Sequence, residues 1–265
     1  MTDDKTAGPS RDLVWDIPVR LVHWLLAGGF VAAFAIAELG DDDGPFFSVH
    51  MVLGLLVVLA SLFRIVWGVL GTRTARFASF EWRPAALAAY LVGVLAGRGS
   101  KHVGHNPATS YATAAMLLLA LGIGASGTLM TWGVGEELNE VHEVLVFALL
   151  GVTIIHIGGV LLHTLRYRDD LVLSMIDGKR AVASAPDAVR PAWMAGAVLA
   201  VLALGTVGLG VAGYDAASGS VVIPGVGWRL GEADDHEREH GASRHDEHHE
   251  HDGHDRKRRH HHDDD

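Results

Sequence analysis

Cysteine is absent from the 265 residues of this sequence. Its absence excludes disulfide bonds, iron–sulfur clusters, thiolate ligation of haem and covalently attached c-type haem. Any metal or redox chemistry must therefore use the 17 histidines, the carboxylates or the methionines. A concentrated basic patch is also missing, so nothing in the sequence indicates nucleic-acid binding.

Charged residues are scarce wherever the chain is apolar. The formal net charge is −10, and most of the excess acid lies from Glu232 onwards. The apolar residues come in runs of about 20, which is the length that a helix needs to cross the hydrocarbon core of a bilayer. Such runs predict an all-α integral membrane protein in contact with lipid.

Five of these runs are long enough to span a membrane. For the first, a cleaved signal peptide is the alternative, because AFAIAE is similar to a small-residue cleavage region. A shorter apolar stretch, Pro84 to Ala96, lies between arginines and starts with proline, which predicts a helix at the membrane interface. The predicted spans run approximately from Val19 to Ala37, Phe46 to Leu70, Ala108 to Trp132, Glu140 to Tyr167 and Ala192 to Ala212.

The charges between the spans predict the orientation of the chain. Basic residues cluster before span one, between spans two and three and between spans four and five, whereas the other two internal loops are acidic. Loops that carry the excess of lysine and arginine face the cytoplasm. We therefore expect the N-terminus in the cytoplasm, and five spans then place the C-terminal tail outside.

Four histidines pair by depth in this topology. His142 and His156 lie fourteen residues apart on span four, which is about 21 Å along the axis and nearly the same face. His50 lies at the depth of His142, and His23 lies at the depth of His156. Each one alone is also explained as an interfacial side chain. Together they predict two sites in which two helices ligate a haem b through imidazoles.

Two more residues of the spans are candidates for contacts with such a cofactor. Arg64 lies fourteen residues after His50 and so at the depth of the second pair, where it could neutralise a haem propionate. An arginine that simply obeys the positive-inside rule is the alternative. His163, seven residues after His156, is interpreted as a contact to a propionate or a quinone, or as an interfacial residue.

The two ends of the chain differ from the spans. We expect residues 1–14 to be a disordered cytoplasmic segment, and residues 181–213 to form a linker and the fifth span. Residues 214–265 are a tail rich in His, Asp and Glu, which we expect to be disordered from about residue 232. Its imidazoles and carboxylates could bind divalent metals weakly, or the tail could serve only to keep the chain soluble.

Several segments between Trp15 and Arg180 match a known pattern: WDIPVRLVHWLL, VHMVLGLL followed by FRIVWGVLG, the loop VGHNP, LNEVHEVL, and HIGGVLLH ending in LVLSMIDGKR. Together they resemble the bacterial cytochrome b561 / Ni,Fe-hydrogenase cytochrome b family. The resemblance covers residues 15–180 and implies a four-helix transmembrane bundle that holds two b haems in the bacterial inner membrane.

The resemblance also implies the ligands and the partners. Its ligand positions fall on His23, His50, His142 and His156, the same four that pair by depth. Family members pass electrons between the quinone pool and a periplasmic partner such as a hydrogenase, a c-type cytochrome or another dehydrogenase. The C-terminal tail would then be periplasmic. The fifth span and the tail differ from the family pattern, so they leave the partner open.

A different class of function is a divalent-metal transporter or metal-sensing membrane protein, because His-rich tails and membrane histidines also occur there. A cation path normally needs carboxylates near mid-membrane, and here Glu38 and Glu143 lie near span ends. A purely structural anchor for a periplasmic complex is a third interpretation, which leaves the four paired histidines without a purpose. The sequence therefore favours electron transfer.

Overall fold

The structure, a computed structural model, describes residues 11–40, 46–97, 104–132, 137–168, 170–181, 189–215, 220–225 and 227–230. Its long helices are α1 (Ile17–Leu39), α2 (Phe47–Leu70), α4 (Pro107–Thr131), α5 (Glu137–Tyr167) and α7 (Trp193–Ala212). Between them lie a 3-10 turn (Phe77–Ser79) and the shorter helices α3 (Pro84–Ala96) and α6 (Leu171–Asp177). The strands are β1 (Arg11–Leu13), β2 (Lys179–Ala181), β3 (Tyr214–Asp215), β4 (Ser220–Ile223) and β5 (Trp228–Leu230).

The five long helices are each long and apolar enough to cross a membrane. The predicted helical membrane architecture is therefore confirmed, and the chain is a multi-pass membrane protein. Helix α1 begins before the predicted span because Asp16 caps it, with Oδ1 accepting from the Val19 backbone N at 2.9 Å. Asn106 caps α4 in the same way, and the short helix α3 has the predicted bounds.

The long helices form a bundle of two closely packed pairs, α1 with α2 and α4 with α5. Helix α2 also packs on α4, and α7 covers α1 and α2. Glycines allow the close approach, because a Cβ on Gly124 would overlap the Val58 side chain and one on Gly29 would lie 2.9 Å from Val57. We call the end of the bundle where α1 begins the near end, and the end where α1 finishes the far end.

The N-terminal segment is more ordered than the sequence predicts. The expectation of disorder over residues 1–14 is wrong for Arg11–Leu13, which form β1 and pair antiparallel with β2, with Arg11 opposite Ala181. Ion pairs fix this strand, because Arg11 contacts Asp170 at 3.1 Å and Asp177 at 2.9 Å. Residues 1–10 lie outside the described residues. The near end is therefore closed by chain segments that are far apart in sequence.

A small antiparallel sheet follows α7, in the order β3-β4-β5. The sequence assigned this stretch to the tail without predicting strands. Val221 and Leu230 are both buried, and they stand opposite one another in the sheet. The sheet packs on α7 and α2. The His-rich segment that the sequence predicts to be disordered, from about residue 232, lies outside the described residues.

Candidate functional site

At the far end of the bundle, His50 on α2 and His142 on α5 lie next to one another. Their ring centroids are 6.4 Å apart, with an angle of 65° between the ring planes. Phe47 stacks on the His50 ring at 5.5 Å. Gly127 leaves room for His142, because a Cβ there would lie 3.3 Å from its Cε1. This pair was predicted from depth alone.

Hydrogen bonds fix which nitrogen of each ring carries the proton. His50 Nδ1 donates to the carbonyl of Ala33 at 2.9 Å, since a carbonyl can only accept. His142 Nδ1 lies 2.9 Å from Ser126 Oγ. That hydroxyl already donates to the carbonyls of Gly122 and Ile123, so it accepts from His142. In the neutral form of each ring, Nε2 is then the nitrogen without a proton, and only such a nitrogen can bind a metal.

The spacing of these two rings fits two ligands on one metal. Two imidazole bonds of about 2.0 Å each would place the coordinating nitrogens about 4 Å apart. Adding the distance from each nitrogen to its own ring centre brings the centroids close to the observed 6.4 Å. Gly54, one turn after His50, has no atom within 4 Å of where a Cβ would lie. Space is thus open on the helix face that presents His50.

At the near end, His23 on α1 and His156 on α5 form the second predicted pair. They lie close enough for electrostatic interaction. The α1–α2 register places His23 level with the last third of α2, because Val19 packs near Trp67 and Gly29 near Val57. His23 Nδ1 is enclosed and has no hydrogen-bond partner among the described residues. This ring, unlike the two at the far end, lacks a partner that fixes its tautomer.

An apolar layer separates the two histidine pairs. Its buried members are Val57 on α2, Ala120 on α4 and Leu149 on α5, with Leu26 and Phe30 of α1 packed against them. Leu149 lies seven residues from each ligating candidate on α5, which places the layer midway between the two pairs. Water is excluded from such a layer, so the two sites are separate compartments.

Arg64 lies at the near end as predicted, and it is only 4% exposed. Its guanidinium carbon is 5.0 Å from the centre of the Phe77 ring, and it interacts electrostatically with Asp16. Both terminal nitrogens lack a hydrogen-bond partner among the described residues. A buried guanidinium normally has acceptors, so these donors fit a carboxylate that the described residues do not supply.

His105 belongs to this end too, although no role was predicted for it beyond its place in the VGHNP loop. Its ring lies 4.8 Å from Trp15 and 4.3 Å from Phe80 between centroids. Burial first and the charge of Arg64 second lower the pKa of His105 to about 3, against the opposing effect of a hydrogen bond to the Thr74 backbone. The ring is therefore neutral at neutral pH.

The other candidate, His163, is buried at 4% exposure. Its Nδ1 lies 3.2 Å from the hydroxyl of Tyr90 on α3, and its ring lies 4.6 Å from that of Tyr167. This contact fastens helix α3 to α5. Its predicted contact to a propionate or quinone stays a prediction.

A latch holds α1, and with it His23, in place. Asp16 is fully buried, and its Oδ2 accepts from Trp67 Nε1 at 3.0 Å and from Thr72 Oγ1 at 2.6 Å. The indole of Trp15 donates to Ser174 at 3.2 Å. Two further bonds run from α1 to the carbonyls of α6, Arg20 to Ile176 and Trp24 to Met175. The start of α1 is thus fixed to both α2 and α6.

In the part of the chain that the structure describes, no group of three or more His, Asp or Glu residues could hold a bare metal ion. Two-histidine pairs are what a haem needs, because the macrocycle supplies the other four nitrogens. The far-end rings, which are hydrogen-bonded through Nδ1, suit such a group. So does Arg64 at the near end, because its terminal nitrogens lack hydrogen-bond partners among the described residues. The described residues therefore fit haem better than an isolated cation.

Comparison with known proteins agrees with the interpretation of these residues as a haem site. The family model described as prokaryotic cytochrome b561 matches residues 14–178. A probable Ni/Fe-hydrogenase B-type cytochrome subunit of Rhodobacter capsulatus is 24% identical over 210 residues, which cover 63% of this chain and 80% of that relative. No solved structure matches the chain significantly.

Proposed function

Because this chain belongs to the prokaryotic cytochrome b561 family, we propose that it is a dihaem subunit that carries electrons between the quinone pool and a periplasmic redox partner. Its family makes it a membrane-bound b-type cytochrome that transfers electrons. The number of haems, the four axial ligands, the propionate contact and the partners are the proposed part.

The geometry of His50 and His142 carries the proposal. Two imidazoles from different helices lie 6.4 Å apart between centroids, and both are hydrogen-bonded through Nδ1, which leaves Nε2 for a metal. We assign these two residues to the far-end haem, and His23 with His156 to the near-end haem. The ligand positions on α5 are about 21 Å apart along the helix. Two haems at that spacing would together cover most of the bilayer.

The residues of this chain would act mainly by positioning. When bound, haem supplies one-electron redox chemistry. Ala33 and Ser126 accept from Nδ1 of the far-end rings and so orient each ring with Nε2 available for a metal. The apolar layer around Leu149 keeps water away from the space between the pairs. Arg64 would donate hydrogen bonds to a propionate at the near end.

The partners follow from the family and from one relative. The Rhodobacter capsulatus relative is described as a probable hydrogenase cytochrome subunit. For this chain we propose a periplasmic redox protein, either a hydrogenase, a c-type cytochrome or another dehydrogenase, with quinone on the other side of the transfer. Divalent-metal binding by the C-terminal tail stays a prediction, since that segment lies outside the described residues.

The test is the haem content and redox titration of the purified protein. We expect two b haems per chain, with two components that differ in midpoint potential, because the far-end and near-end pairs have different surroundings. Reduction by a quinol in proteoliposomes should follow. One haem per chain would contradict the dihaem assignment, and a colourless protein that takes up divalent cations would favour the metal-transport alternative instead.

Membrane orientation is a separate prediction. A reporter fused after Asp265 should behave as exported, and one fused at Gly99 should behave as cytoplasmic, because basic loops stay on the cytoplasmic side. Alkaline phosphatase and a fluorescent protein, each active on one side only, give the readout.

A reporter that is cytoplasmic after Asp265 would contradict the orientation of the five spans. It would also move the His-rich tail, and with it any exposed metal site, to the other side of the membrane. A fusion after Leu39 provides a control, because the end of α1 should be exported whatever the fate of the later spans.

A further inference from the structure

The enclosed polar atoms of the bundle are distributed unevenly. At the far end, His50 and His142 both have partners for Nδ1. Among the described residues, every enclosed side-chain nitrogen or oxygen without a hydrogen-bond partner lies in the near half of the bundle: Arg20 Nε, His23 Nδ1, Ser61 Oγ, Arg64 Nη1 and Nη2, His105 Nδ1 and Thr164 Oγ1.

Two of these groups, the side chains of Arg64 and His105, pack on two aromatic rings that contact each other. Arg64 lies on Phe77 at 5.0 Å from the ring centre, and His105 lies on Phe80 at 4.3 Å. The Phe77 and Phe80 rings contact each other edge to face at 5.3 Å. Arg64 and His105 are also close enough to interact electrostatically. They therefore belong to one pocket, although one sits on α2 and the other precedes α4.

The two groups offer opposite hydrogen-bonding functions. His105 makes a hydrogen bond to the backbone of Thr74 that favours the protonated ring, so the acceptor is the Thr74 carbonyl. Because Nδ1 has no partner among the described residues, the nitrogen that donates this bond, and so carries the proton, is Nε2. Nδ1 of the neutral ring is then an acceptor. Arg64 has only donors. A ligand that satisfies both must accept at one atom and donate at another.

The charges around Arg64 narrow the choice of ligand further. Asp16 already stands near Arg64 and offsets its charge, whereas the carboxylate of Glu81 is paired with Arg83 at 3.0 Å. A carboxylate entering without a proton would therefore bring an uncompensated negative charge into a buried site, which is costly. A carboxyl group that arrives with one proton leaves the pocket neutral and provides both an acceptor oxygen and an O–H donor.

We propose that Arg64 and His105 together bind one propionate of the near-end haem as a carboxyl group that shares a proton with His105 Nδ1. The inference rests on the proposed function, because it needs a haem at the near end. It adds a second protein partner for the propionate, and a bound proton, to the Arg64 contact. Oxidation of that haem by a mediator removes one electron, and the added positive charge favours release of this proton to water.

The experiment is a redox titration of both haems in the purified protein at several pH values. In the unmodified protein we expect the near-end midpoint potential to fall with rising pH, towards a tenfold change in the redox equilibrium per pH unit, which is 59 mV for one electron. The far-end haem should show no such slope. Haem retention during dilution gives a second, independent readout.

The variants separate the two contributions. His105→Phe keeps the aromatic packing and removes the acceptor, so it should abolish the slope. His105→Gln, which restores a polar side chain, should fold even if the phenylalanine variant does not, and should also lose most of the slope. Arg64→Gln should weaken near-end haem retention by about 10- to 100-fold, the scale of a lost charge-assisted hydrogen bond. Arg64→Lys, which keeps the charge, should retain more.

Tyr111→Phe is the control, because it removes one hydroxyl group at the same end of the bundle, where that group donates to the carbonyl of Trp82. Its slope should equal that of the unmodified protein. An equal slope in His105→Phe, or no slope in the unmodified protein, would overturn the inference and point to bridging water. A slope that disappears on dialysis would identify a soluble carboxylate as the bound group instead of the propionate. Absence of haem altogether would contradict the proposed function itself.

Discussion

Changing His142 to alanine is expected to lower the haem content from two per chain to one. The far-end site would keep only the His50 imidazole, and a single ligand from one helix cannot hold the macrocycle between α2 and α5. The near-end haem should remain, because its proposed ligands, His23 and His156, are about 21 Å away along α5. Haem per chain, with a redox titration to show which component is lost, is the measurement.

The reciprocal change, His156→Ala, should remove the near-end haem and leave the far-end haem. Either change should stop electron passage from quinol to an external acceptor if the route uses both sites. His163→Ala provides the control on the same helix, since that residue lies outside both pairs, and it should keep two haems. Loss of both haems from either single change, in a bundle that still folds, would contradict the assignment of separate pairs.

The four histidines illustrate what a sequence can establish by itself. Helical rise and span depth alone placed His50 beside His142, and the structure brings their rings to 6.4 Å. Depth works here because a membrane fixes each helix along one axis. It does not determine rotation about the helix axis, so the same reasoning could not establish that both Nε2 atoms are free.

The partners that orient the far-end rings could not be predicted. Ser126 lies on a span without histidine, and its contact with His142 depends on how α4 is registered against α5. Ala33 contributes only a backbone carbonyl, which every residue has. Neither residue can be recognised from the sequence, although each determines which ring nitrogen of a proposed haem ligand carries the proton.

The near end shows why some motifs of the sequence are informative only once the chain is folded. Trp15, Asp16 and Arg20 precede or begin α1, and their hydrogen-bond partners come from α2, the loop after it and α6. Strands β1 and β2 have three residues each and lie more than 160 positions apart. Such short strands carry no periodicity, so the pairing had no local signal.

Replacing Asp16 with alanine is expected to produce the largest loss of stability in this protein. The change removes the cap of α1, which is worth about 0.5–2 kcal/mol. It also leaves the donor groups of Trp67 and Thr72 without their acceptor and leaves the charge of Arg64 without its nearby carboxylate. Each buried donor left unsatisfied typically costs about 1–3 kcal/mol, so we expect a total of several kcal/mol. Thermal unfolding in detergent, followed by circular dichroism, measures it.

Two further variants identify the cause. Asp16→Asn keeps a good helix cap but removes the negative charge, and its amide N–H groups would face the donors of Trp67 and Thr72. It should therefore recover only a small part of the lost stability. Glu38→Gln changes an exposed carboxylate at the other end of α1 and should be nearly neutral. An unchanged melting temperature in Asp16→Ala would show that the latch is not needed for the fold.

Because His23 lies seven residues after Asp16, the near-end haem should be lost from the Asp16→Ala protein before the far-end haem as the temperature rises. Loss of both haems together would instead mean that the bundle unfolds as one cooperative unit.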